Sequence, residues 1–593
     1  MKNIEKIILT KLQRGEKLLK KKRYAEALEA FQHALKLDNR SDNAYAGLAV
    51  AYFEMDNYPK ALEAIVNAIL LRHKDIELKR QFLHILQKSG LSSFEPVIAN
   101  ELFKCLQNPL LFTEAVPLAR SQLKAKADSL QQIENNDNLF KSKREILLDQ
   151  MFLDLLFKSI NTNIDTETLL TNVRKQILLA YPNSIADIGD LAEIKIFCTG
   201  LAHACFNNDY VFYVSPEESK ILEQLEQDII TNIKQENLAD LEFKLLLYAL
   251  YNQLSELSCR EELLAKDKNV WEPSFYLVLK RTLVNTQIEN EIKANLPQLG
   301  IISDEISQKV KAQYEEHPYP RWFIATGRSR YKEQLKQYNF TLPEFLNSKL
   351  DILVAGAGTG QHPISTATSQ SNNKIIAVDI SGASLAYGIR MARDNNVTNI
   401  DFKQGDLLNV GQLNKKFHII ECAGVLHHMH DPMQGWQALV DVLHDGGLMY
   451  VGLYSEAARR DVVKARAKIA ELGLTGKDGE IRDFRRQVLN DEYQEIKSVT
   501  KWSDFYNLPQ CRDLLFHVQE HRFTLPKIQT ALDKLGLRFV GMVANETVTE
   551  NVEKLKDTIP KHLHPSQLKY WEFVEEQLPN TFIHMYHLWL VKV

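Results

Sequence analysis

The spacing of apolar positions separates a helical half of the chain from a half of alternating strands and helices. Between about residues 100 and 300, apolar residues recur every three or four positions, as in EILLDQMFLDLLFKSI and DLEFKLLLYALYNQLSEL, which predicts helices almost throughout. From about residue 350, short and mostly apolar runs follow one another, as is typical of strands in a buried parallel sheet. Seven such runs are present: LDILV, KIIAVDIS, NIDFKQGD, FHIIECA, LMYVGLYS, LRFVGMV and TFIHMYHLWLVKV. The pattern predicts a multidomain chain with an all-α N-terminal half and a seven-stranded α/β domain after it.

The first 90 residues contain a pattern that repeats after 34 positions. Its two copies are Tyr24, Ala27, Leu28, Glu29, Ala30, Phe31 and Ala34, and then Tyr58, Ala61, Leu62, Glu63, Ala64, Ile65 and Ala68. The small residues allow paired helices to approach closely, and the pattern resembles the tetratricopeptide repeat. A third copy is missing, because Glu95 and Leu102 stand where it requires alanine, so the helices that follow should cover the open end.

Such repeats imply a surface that binds a partner or a protein substrate. The alternative is a packing module that only extends the next domain.

Charge and composition exclude several classes of protein. The chain has 593 residues with 72 basic and 76 acidic side chains, so no global field draws it to nucleic acid, and we expect no nucleic-acid partner. No stretch of 18 apolar residues suggests a membrane span, and charges interrupt the first 23 residues, so we expect a cytoplasmic protein. The six cysteines form no CxxC pair, which argues against a disulfide framework or a thiolate zinc site.

A glycine-rich loop follows the first apolar run of the α/β half. In LDILVAGAGTGQH, the loop residues Gly356, Gly358 and Gly360 lack the Cβ atoms that would block a ligand, and the next helix offers free N–H groups. The second run ends at Asp379, 19 residues after Gly360, where a carboxylate can hold ribose hydroxyls. Both a dinucleotide and S-adenosylmethionine fit these features.

The order of the later elements resembles the class I S-adenosylmethionine-dependent methyltransferases. An acid, Asp406, ends the third run, a fourth opens into a histidine pair, and the last two runs can form a terminal antiparallel pair. Gln361 replaces the third glycine that dinucleotide-binding motifs usually carry. The resemblance covers about residues 310–593. It implies a Rossmann-like domain, S-adenosylmethionine as cofactor, and cofactor contacts from Leu407 and Ala423.

One position departs from this family. Its members often carry an acid two residues before the first glycine, and here that residue is Val354. Another group must therefore bind the amino group of the cofactor's methionine part.

The segment QYEEHPYPRWF (313–323) concentrates aromatic rings and proline next to the glycine loop. Proline restricts the backbone, so Tyr319, Arg321 and Trp322 are candidate cofactor contacts. An aromatic face favours a sulfonium cation, and an arginine can bind a carboxylate. An aromatic plug between the helical and catalytic parts is the alternative.

Residues 455–536 form an insertion where a minimal methyltransferase needs a single helix. Tyr506, Arg512 and Asp513 lie in its charged and aromatic part and are candidate substrate contacts. Insertions at this place commonly provide substrate selectivity, so a substrate-facing lid is one interpretation. A structural ion pair between Arg512 and Asp513 is the other.

Three motifs, YEEHPYPRW, CRDLLFHVQEH and PNTFIHMYHLWLVKV, resemble a narrower bacterial group with helical N-terminal extensions. That group includes rickettsial protein lysine methyltransferases that act on an outer-membrane protein. The resemblance implies a protein lysine as methyl acceptor and a homodimer. A small-molecule methyltransferase that uses its repeats for assembly and an inactive repeat scaffold are the alternatives.

Methyl transfer is an in-line displacement that depends mainly on alignment, but a lysine ammonium must first lose a proton. The candidates for this chemistry are His427, His428, Tyr454 and His517, and no metal site is predicted, because no separated ligand has a matching spacing.

We therefore expect five parts along the chain: repeats in 1–90, a helical middle domain in 91–300, a methyltransferase core in 301–454, the insertion in 455–536, and the last part of the sheet in 537–593.

Overall fold

The computed structural model describes residues 2–130, 138–181, 183–233, 238–323, 331–369 and 371–593. The chain forms two compact units, Met1–Ser159 and Ile160–Val593. The boundary between them falls inside the segment 91–300, for which the sequence predicts one helical domain. The five-part division of the chain stays a prediction.

The first unit is helical, and its early helices pack in sequence order. Its helices are α1 (Lys2–Lys20), α2 (Tyr24–Leu37), α3 (Asp42–Phe53), α4 (Tyr58–Leu71), α5 (Ile76–Ser89), α6 (Pro96–Leu106), α7 (Phe112–Ser129), α8 (Leu139–Ser142), α9 (Arg144–Leu147) and α10 (Gln150–Lys158). The ring of Phe31 lies against Gly15 and Gly47, where a Cβ atom would come within 2.5 and 2.3 Å of its Cζ. The two glycines therefore allow α1 and α3 to close around α2. Helix α5 packs on α4, so the second helix pair is covered.

The second unit begins with helices and continues as an α/β domain. Its helices are α11 (Ile164–Ala180), α12 (Ile185–Ile188), α13 (Leu191–Asn207), α14 (Pro216–Asn232), α15 (Leu238–Tyr248), α16 (Arg260–Leu264), α17 (Pro273–Leu279), α18 (Asn285–Ala294), α19 (Glu305–Glu316), α20 (Tyr331–Leu335), α21 (Gln361–Ser369), α22 (Gly382–Asp394), α23 (Pro432–Asp441), α24 (Arg460–Glu471), α25 (Asp478–Leu489), α26 (Leu508–Cys511), α27 (Leu525–Leu535), α28 (Glu546–Leu555) and α29 (Leu568–Gln577).

The strands of the second unit form one mixed sheet. They are β1 (Gln298–Leu299), β2 (Asp351–Ala355), β3 (Lys374–Asp379), β4 (Ile400–Gly405), β5 (Phe417–Ala423), β6 (Leu443–Leu453), β7 (Leu537–Met542) and β8 (Tyr586–Lys592). Their spatial order is β1-β4-β3-β2-β5-β6-β8-β7, with β8 antiparallel to both of its neighbours and the other pairs parallel. All seven predicted strands are present, but the predicted number of strands is wrong. The additional strand, β1, has two residues, too few to produce a hydrophobic pattern.

Successive residues of β2 pack on opposite faces of the sheet. Leu353 and Ala355 join a core with α23, α27 and α29, whereas Ile352 and Val354 join a second core that includes Trp589 of β8. This alternation follows from the two-residue period of a strand. Both faces are covered, as the unbroken apolar runs predict.

The insertion is anchored to the helices that precede the sheet. Arg485 of α25 forms two hydrogen bonds of 3.0 Å with the carboxylate of Glu167 on α11, and both side chains are buried. Asn507 also donates to the backbone carbonyl of Asn207 at the end of α13, at 2.9 Å. The insertion is thus packed against the helices of the second unit and is held there by buried hydrogen bonds.

Among the helices of the described residues, none has the length and apolar character needed to cross a membrane. The six cysteines are buried as free thiols.

Candidate active site

A cavity of about 300 Å³ opens at the carboxyl ends of β2, β3, β4 and β5. In parallel α/β sheets this edge is the usual place of a ligand site. Ten of the residues predicted for the site line the cavity: Tyr319, Gly356, Gly358, Asp379, Asp406, Leu407, Ala423, His428, Tyr454 and Asp513. The fold thus brings residues from seven separate segments of the chain together around one cavity.

The glycine loop needs its glycines for backbone conformation and for space. Gly356 has φ +81°, and a Cβ there would lie 1.9 Å from Cγ2 of Val425. Gly360 has φ +84°, and a Cβ there would lie 2.7 Å from the Cα of Gly388 on α22. Gly360 itself does not line the cavity, so it serves the packing of the loop on α22.

Asp379 is held at the floor of the cavity by two backbone N–H groups. Its carboxylate accepts hydrogen bonds from Gly358 at 2.7 Å and from Ser381 at 2.9 Å. Burial raises its pKa above the ordinary value for aspartate, although the hydrogen bonds oppose that rise. A ligand hydroxyl that donates to this carboxylate would favour its charged form.

Two cavity residues follow the end of β4. Asp406 accepts from the N–H of Leu408 at 2.9 Å and so begins a short 3₁₀ helix, Leu407–Leu413. Leu407 is buried at the same edge and faces the cavity.

The segment 313–323 covers the glycine loop. Trp322 donates its indole N–H to the carbonyl of Thr359 at 2.9 Å, and Tyr319 lines the cavity with its ring stacked on that of Tyr314. Trp322 is buried outside the cavity lining, so it holds the loop from behind. The contact of Tyr319 with the cofactor thus stays a prediction, whereas Trp322 packs the segment against the glycine loop.

Arg321 lies elsewhere, although the sequence predicts a cofactor contact for it. Its Nη1 lies 2.7 Å from a carboxylate oxygen of Asp209 and donates to the carbonyl of Phe206 at 2.8 Å. A buried guanidinium requires a nearby acid, and Asp209, beyond the end of α13, supplies it. Arg321 thus anchors the segment to the helices and does not line the cavity.

One end of the cavity is acidic and aromatic. The hydroxyls of Tyr314 and Tyr454 donate to the two carboxylate oxygens of Asp513, at 2.5 and 3.4 Å. His428 donates from Nδ1 to the carbonyl of Gln519 at 2.8 Å, and its Nε2 lies 3.9 Å from Asp513. Burial lowers the pKa of His428, although Asp513 opposes that change. A neutral ring that donates from Nδ1 carries its lone pair on Nε2.

The other two candidate catalytic histidines lie behind this end. His427 stacks on Tyr454 and His517 on His428, each with ring centroids 3.7 Å apart, and neither lines the cavity. Burial lowers the pKa of both, so they are neutral rings that fix the position of the residues in front of them.

His428, Asp513 and His517 offer one potential ligand atom each within 4.8 Å of one another, a grouping that sequence spacing did not reveal. Nδ1 of His517 accepts from the N–H of Gln519 at 3.1 Å, which places the proton of the neutral ring on Nε2. The atom that faces Asp513 is therefore a hydrogen-bond donor and has no lone pair for a metal.

Two of the three candidate substrate residues, Tyr506 and Arg512, bind other protein groups and do not line the cavity. Tyr506 is buried and donates to the carbonyl of Thr500 at 2.9 Å. Arg512 pairs with Glu316 at 2.9 Å and with Asp478, so the predicted ion pair with Asp513 is wrong. Adjacent residues on a helical turn point in different directions, which explains why only Asp513 lines the cavity.

Several cavity residues were not among the predicted ones. They include Tyr314, Gln361, His362, Val425, Met429 and Met585. Tyr314 lies in QYEEHPYPRWF and His362 in LDILVAGAGTGQH, so the position inside these two motifs is a sequence signal that could have identified them. Met585 precedes β8 and comes near only through the antiparallel pairing with β6.

Two family models match this chain. Residues 346–513 match the model described as a methyltransferase domain, and residues 18–80 match that of the tetratricopeptide repeat. An uncharacterised protein of Synechococcus sp. is 28% identical over 255 residues, which are 40% of this chain and 60% of that protein. The chain thus spans about 60% of the length of this curated relative.

Solved structures overlap the chain in part. PKMT2 of Rickettsia typhi in complex with AdoHcy has a TM-score of 0.37 and 15% identity, and the match covers 46% of this chain and 54% of that one. Magnesium protoporphyrin IX methyltransferase of Synechocystis PCC 6803 with bound SAH has a TM-score of 0.27 and 12% identity, over 49% of this chain and 100% of that one. The family-model matches of residues 346–513 to a methyltransferase domain and of residues 18–80 to the tetratricopeptide repeat agree with the resemblances that the sequence implies.

Proposed function

We propose that the chain is an S-adenosylmethionine-dependent methyltransferase whose acceptor is an amino nitrogen, with a protein lysine as the favoured acceptor. The observation that carries the proposal is the acidic and aromatic end of the cavity, formed by Asp513, Tyr314 and Tyr454 beside His428. A carboxylate framed by aromatic rings attracts an ammonium group. A methyltransferase for a carboxylate or phenolate acceptor would have no use for a negative charge there.

The residues of the cavity fit S-adenosylmethionine. Gly356 and Gly358 of the glycine loop line the cavity, and Asp379 offers a carboxylate that can accept from ribose hydroxyls. Asp406 and Leu407 line the cavity just after β4, where we expect the adenine to bind, and Ala423 lines it at the end of β5. When bound, the cofactor supplies an electrophilic methyl group on a sulfonium.

The chain itself contributes alignment and one proton transfer. An ammonium has a pKa near 10.4 and must lose a proton before its nitrogen can attack. Nε2 of His428 carries a lone pair at the cavity wall and can take this proton, while Asp513 keeps the nitrogen in place. Burial holds the pKa of Tyr454 well above its usual value, so its hydroxyl keeps its proton and donates to Asp513.

The repeats support a protein as substrate or partner, because a compact helical unit precedes the catalytic one. The homodimer, the cytoplasmic location and the lack of a nucleic-acid partner stay predictions from the sequence. A small-molecule acceptor is the competing assignment.

A labelling experiment tests this function. The full chain is incubated with S-adenosylmethionine labelled in the methyl group and a cell lysate, and label is followed into protein and into small molecules. We expect label on lysine. The Asp379→Ala variant should reduce this label, and the His428→Gln variant should turn over at least tenfold more slowly while it keeps its cofactor affinity. Label found only in small molecules would contradict the proposal that the acceptor is a protein. No transfer of label into any fraction would contradict the proposal that the chain is a methyltransferase.

A further inference from the structure

The last turn of α19 is bonded to two consecutive residues of the insertion. The hydroxyl of Tyr314 donates to Oδ1 of Asp513 at 2.5 Å, and Nη1 of Arg512 donates to the carboxylate of Glu316 at 2.9 Å. Between these two residues of α19, Glu315 accepts from two backbone N–H groups at the start of α22, at 2.7 and 3.3 Å. The end of α19 is therefore fixed to the α/β core, and the insertion is fixed to the end of α19.

Arg512 and Asp513 begin a π-helical turn, Arg512–Phe516. Such turns are rare and are often found at functional sites. The two side chains are buried but point in different directions, so only Asp513 lines the cavity. A single hydrogen bond would let the turn rotate about the contact, and the bond from Tyr454 to Asp513 is long, at 3.4 Å. The direction of the Asp513 carboxylate thus depends on Arg512 as well as on Tyr314.

The charges of these two neighbours have different partners. The guanidinium of Arg512 pairs with Glu316 and with Asp478 at the start of α25, and both acids lie outside the cavity lining. Asp513 is 4% exposed, and among the described residues no lysine or arginine pairs with it. A buried carboxylate without a cationic partner is costly, so the ammonium group of a ligand would stabilise it. Arg512 can therefore hold Asp513 in place without neutralising its charge.

We infer that Arg512 is the positioning residue of the acceptor site. Through its bonds to Glu316 and Asp478 it directs the Asp513 carboxylate at the ammonium group of the acceptor. This inference rests on the proposed function, in which Asp513 binds that group. Arg512 itself contacts neither acceptor nor cofactor, because it does not line the cavity. An indirect role thus replaces the substrate contact that the sequence predicts for Arg512.

The preference of the site for a cation over a neutral molecule of the same length reports the direction of Asp513. The probes are n-pentylamine, which resembles the lysine side chain and is charged at neutral pH, and n-pentanol. Both affinities are measured by ligand-observed NMR on the full chain saturated with S-adenosylhomocysteine. We expect the wild type to bind the amine at least tenfold more tightly, the value of a hydrogen bond to a charged group. Arg512→Met should reduce this preference to less than about threefold, and Glu316→Gln should also lower it, while the affinity for S-adenosylhomocysteine is kept.

Two further variants separate this role from a structural one. Asp513→Asn should remove the preference, and adding Arg512→Met to it should have no further effect, because Arg512 acts only through Asp513. Arg486 of α25 also has two acidic partners, Asp483 and Glu492, so Arg486→Met is the matched control and should keep the wild-type preference. A structural role for Arg512 would instead weaken the binding of both probes equally.

The results can overturn the inference and the proposed function separately. A wild-type preference that persists in both Arg512→Met and Glu316→Gln, or equal losses for the two probes, would overturn the inference and leave the proposed function standing. If Arg512→Met fails to fold, as its melting temperature would reveal, Glu316→Gln decides the question, because the Glu316 side chain is 65% exposed. A wild-type preference near one would overturn the amino acceptor together with this inference. Failure to bind S-adenosylhomocysteine would overturn the methyltransferase itself.

Discussion

His317 joins three parts of the second unit, and replacing it should remove much of the pH dependence of that unit's stability. Its Nδ1 lies 2.5 Å from Asp209, beyond the end of α13, and its Nε2 lies 3.5 Å from Asp478 at the start of α25. Burial lowers the pKa of His317, but hydrogen bonds and charge attraction from the two acids have the larger effect and raise this pKa to about 9. Asp209 stays charged in this range, because Arg321 and His317 overcome the effect of burial and lower its pKa.

The sign and size of the effect follow from the two states of the ring. In the unfolded chain histidine titrates near 6.5, so a folded pKa of about 9 means that folding favours the proton. The stabilisation is fully present below pH 6.5 and is lost as the pH rises through 9. A rise from 6.5 to about 9 corresponds to about 3 kcal/mol at the acidic end of this range.

Tryptophan fluorescence provides the assay, since all six tryptophans lie in the second unit. Urea unfolding of the wild type and of His317→Gln is followed at pH 6, 7.5 and about 10. We expect the variant to be less stable by about 3 kcal/mol at pH 6 and the difference to vanish at the highest pH. The exposed His562, changed to glutamine, is the matched control. A difference that is the same at every pH would refute the role of the charged ring.

Three further predictions concern the cofactor, the insertion and the repeats. Asp379→Ala should weaken S-adenosylmethionine binding by about 1–3 kcal/mol in calorimetry, because a hydrogen bond to a charged group is lost; unchanged binding would place the ribose elsewhere. Arg485→Met should destabilise the second unit by about 3–5 kcal/mol in urea unfolding, because Glu167 is left buried without its partner; the double variant with Glu167→Leu should recover much of the loss, and failure to recover would show that the pair is not the cause. Deletion of residues 1–159 should leave cofactor affinity within twofold and reduce turnover on a protein substrate at least tenfold; full turnover would make the repeats structural or a separate docking site.

The sheet and the cofactor end of the cavity were predictable because local sequence determines them. Buried parallel strands are unbroken apolar runs, and the residue at the carboxyl end of each run must lie at one edge of the sheet. The strand ends therefore predict that Asp379 and Asp406 lie at this edge, where both line the cavity. Their contacts with the cofactor stay predictions. The sequence predicts these glycines as room for a ligand, whereas Gly356 and Gly360 provide the positive φ angles and the room for Val425 and Gly388.

The partners of polar side chains were not predictable, because they join residues far apart in the chain. Arg321 pairs with Asp209, and Arg485 pairs with Glu167 at a separation of 318 residues. No local sequence pattern predicts ion pairs between residues that are so far apart in the chain.

The position of β8 has a consequence for how a ribosome makes this protein. Although β8 is the last strand along the chain, it lies between β6 and β7, and it is antiparallel to both. From Leu453, which ends β6, to Tyr586, which begins β8, 133 residues must be synthesised, which takes roughly 7–27 s at ordinary translation rates. During that time the apolar edge of β6 has no partner on one side, so the nascent chain should need chaperone protection until residues 586–592 emerge.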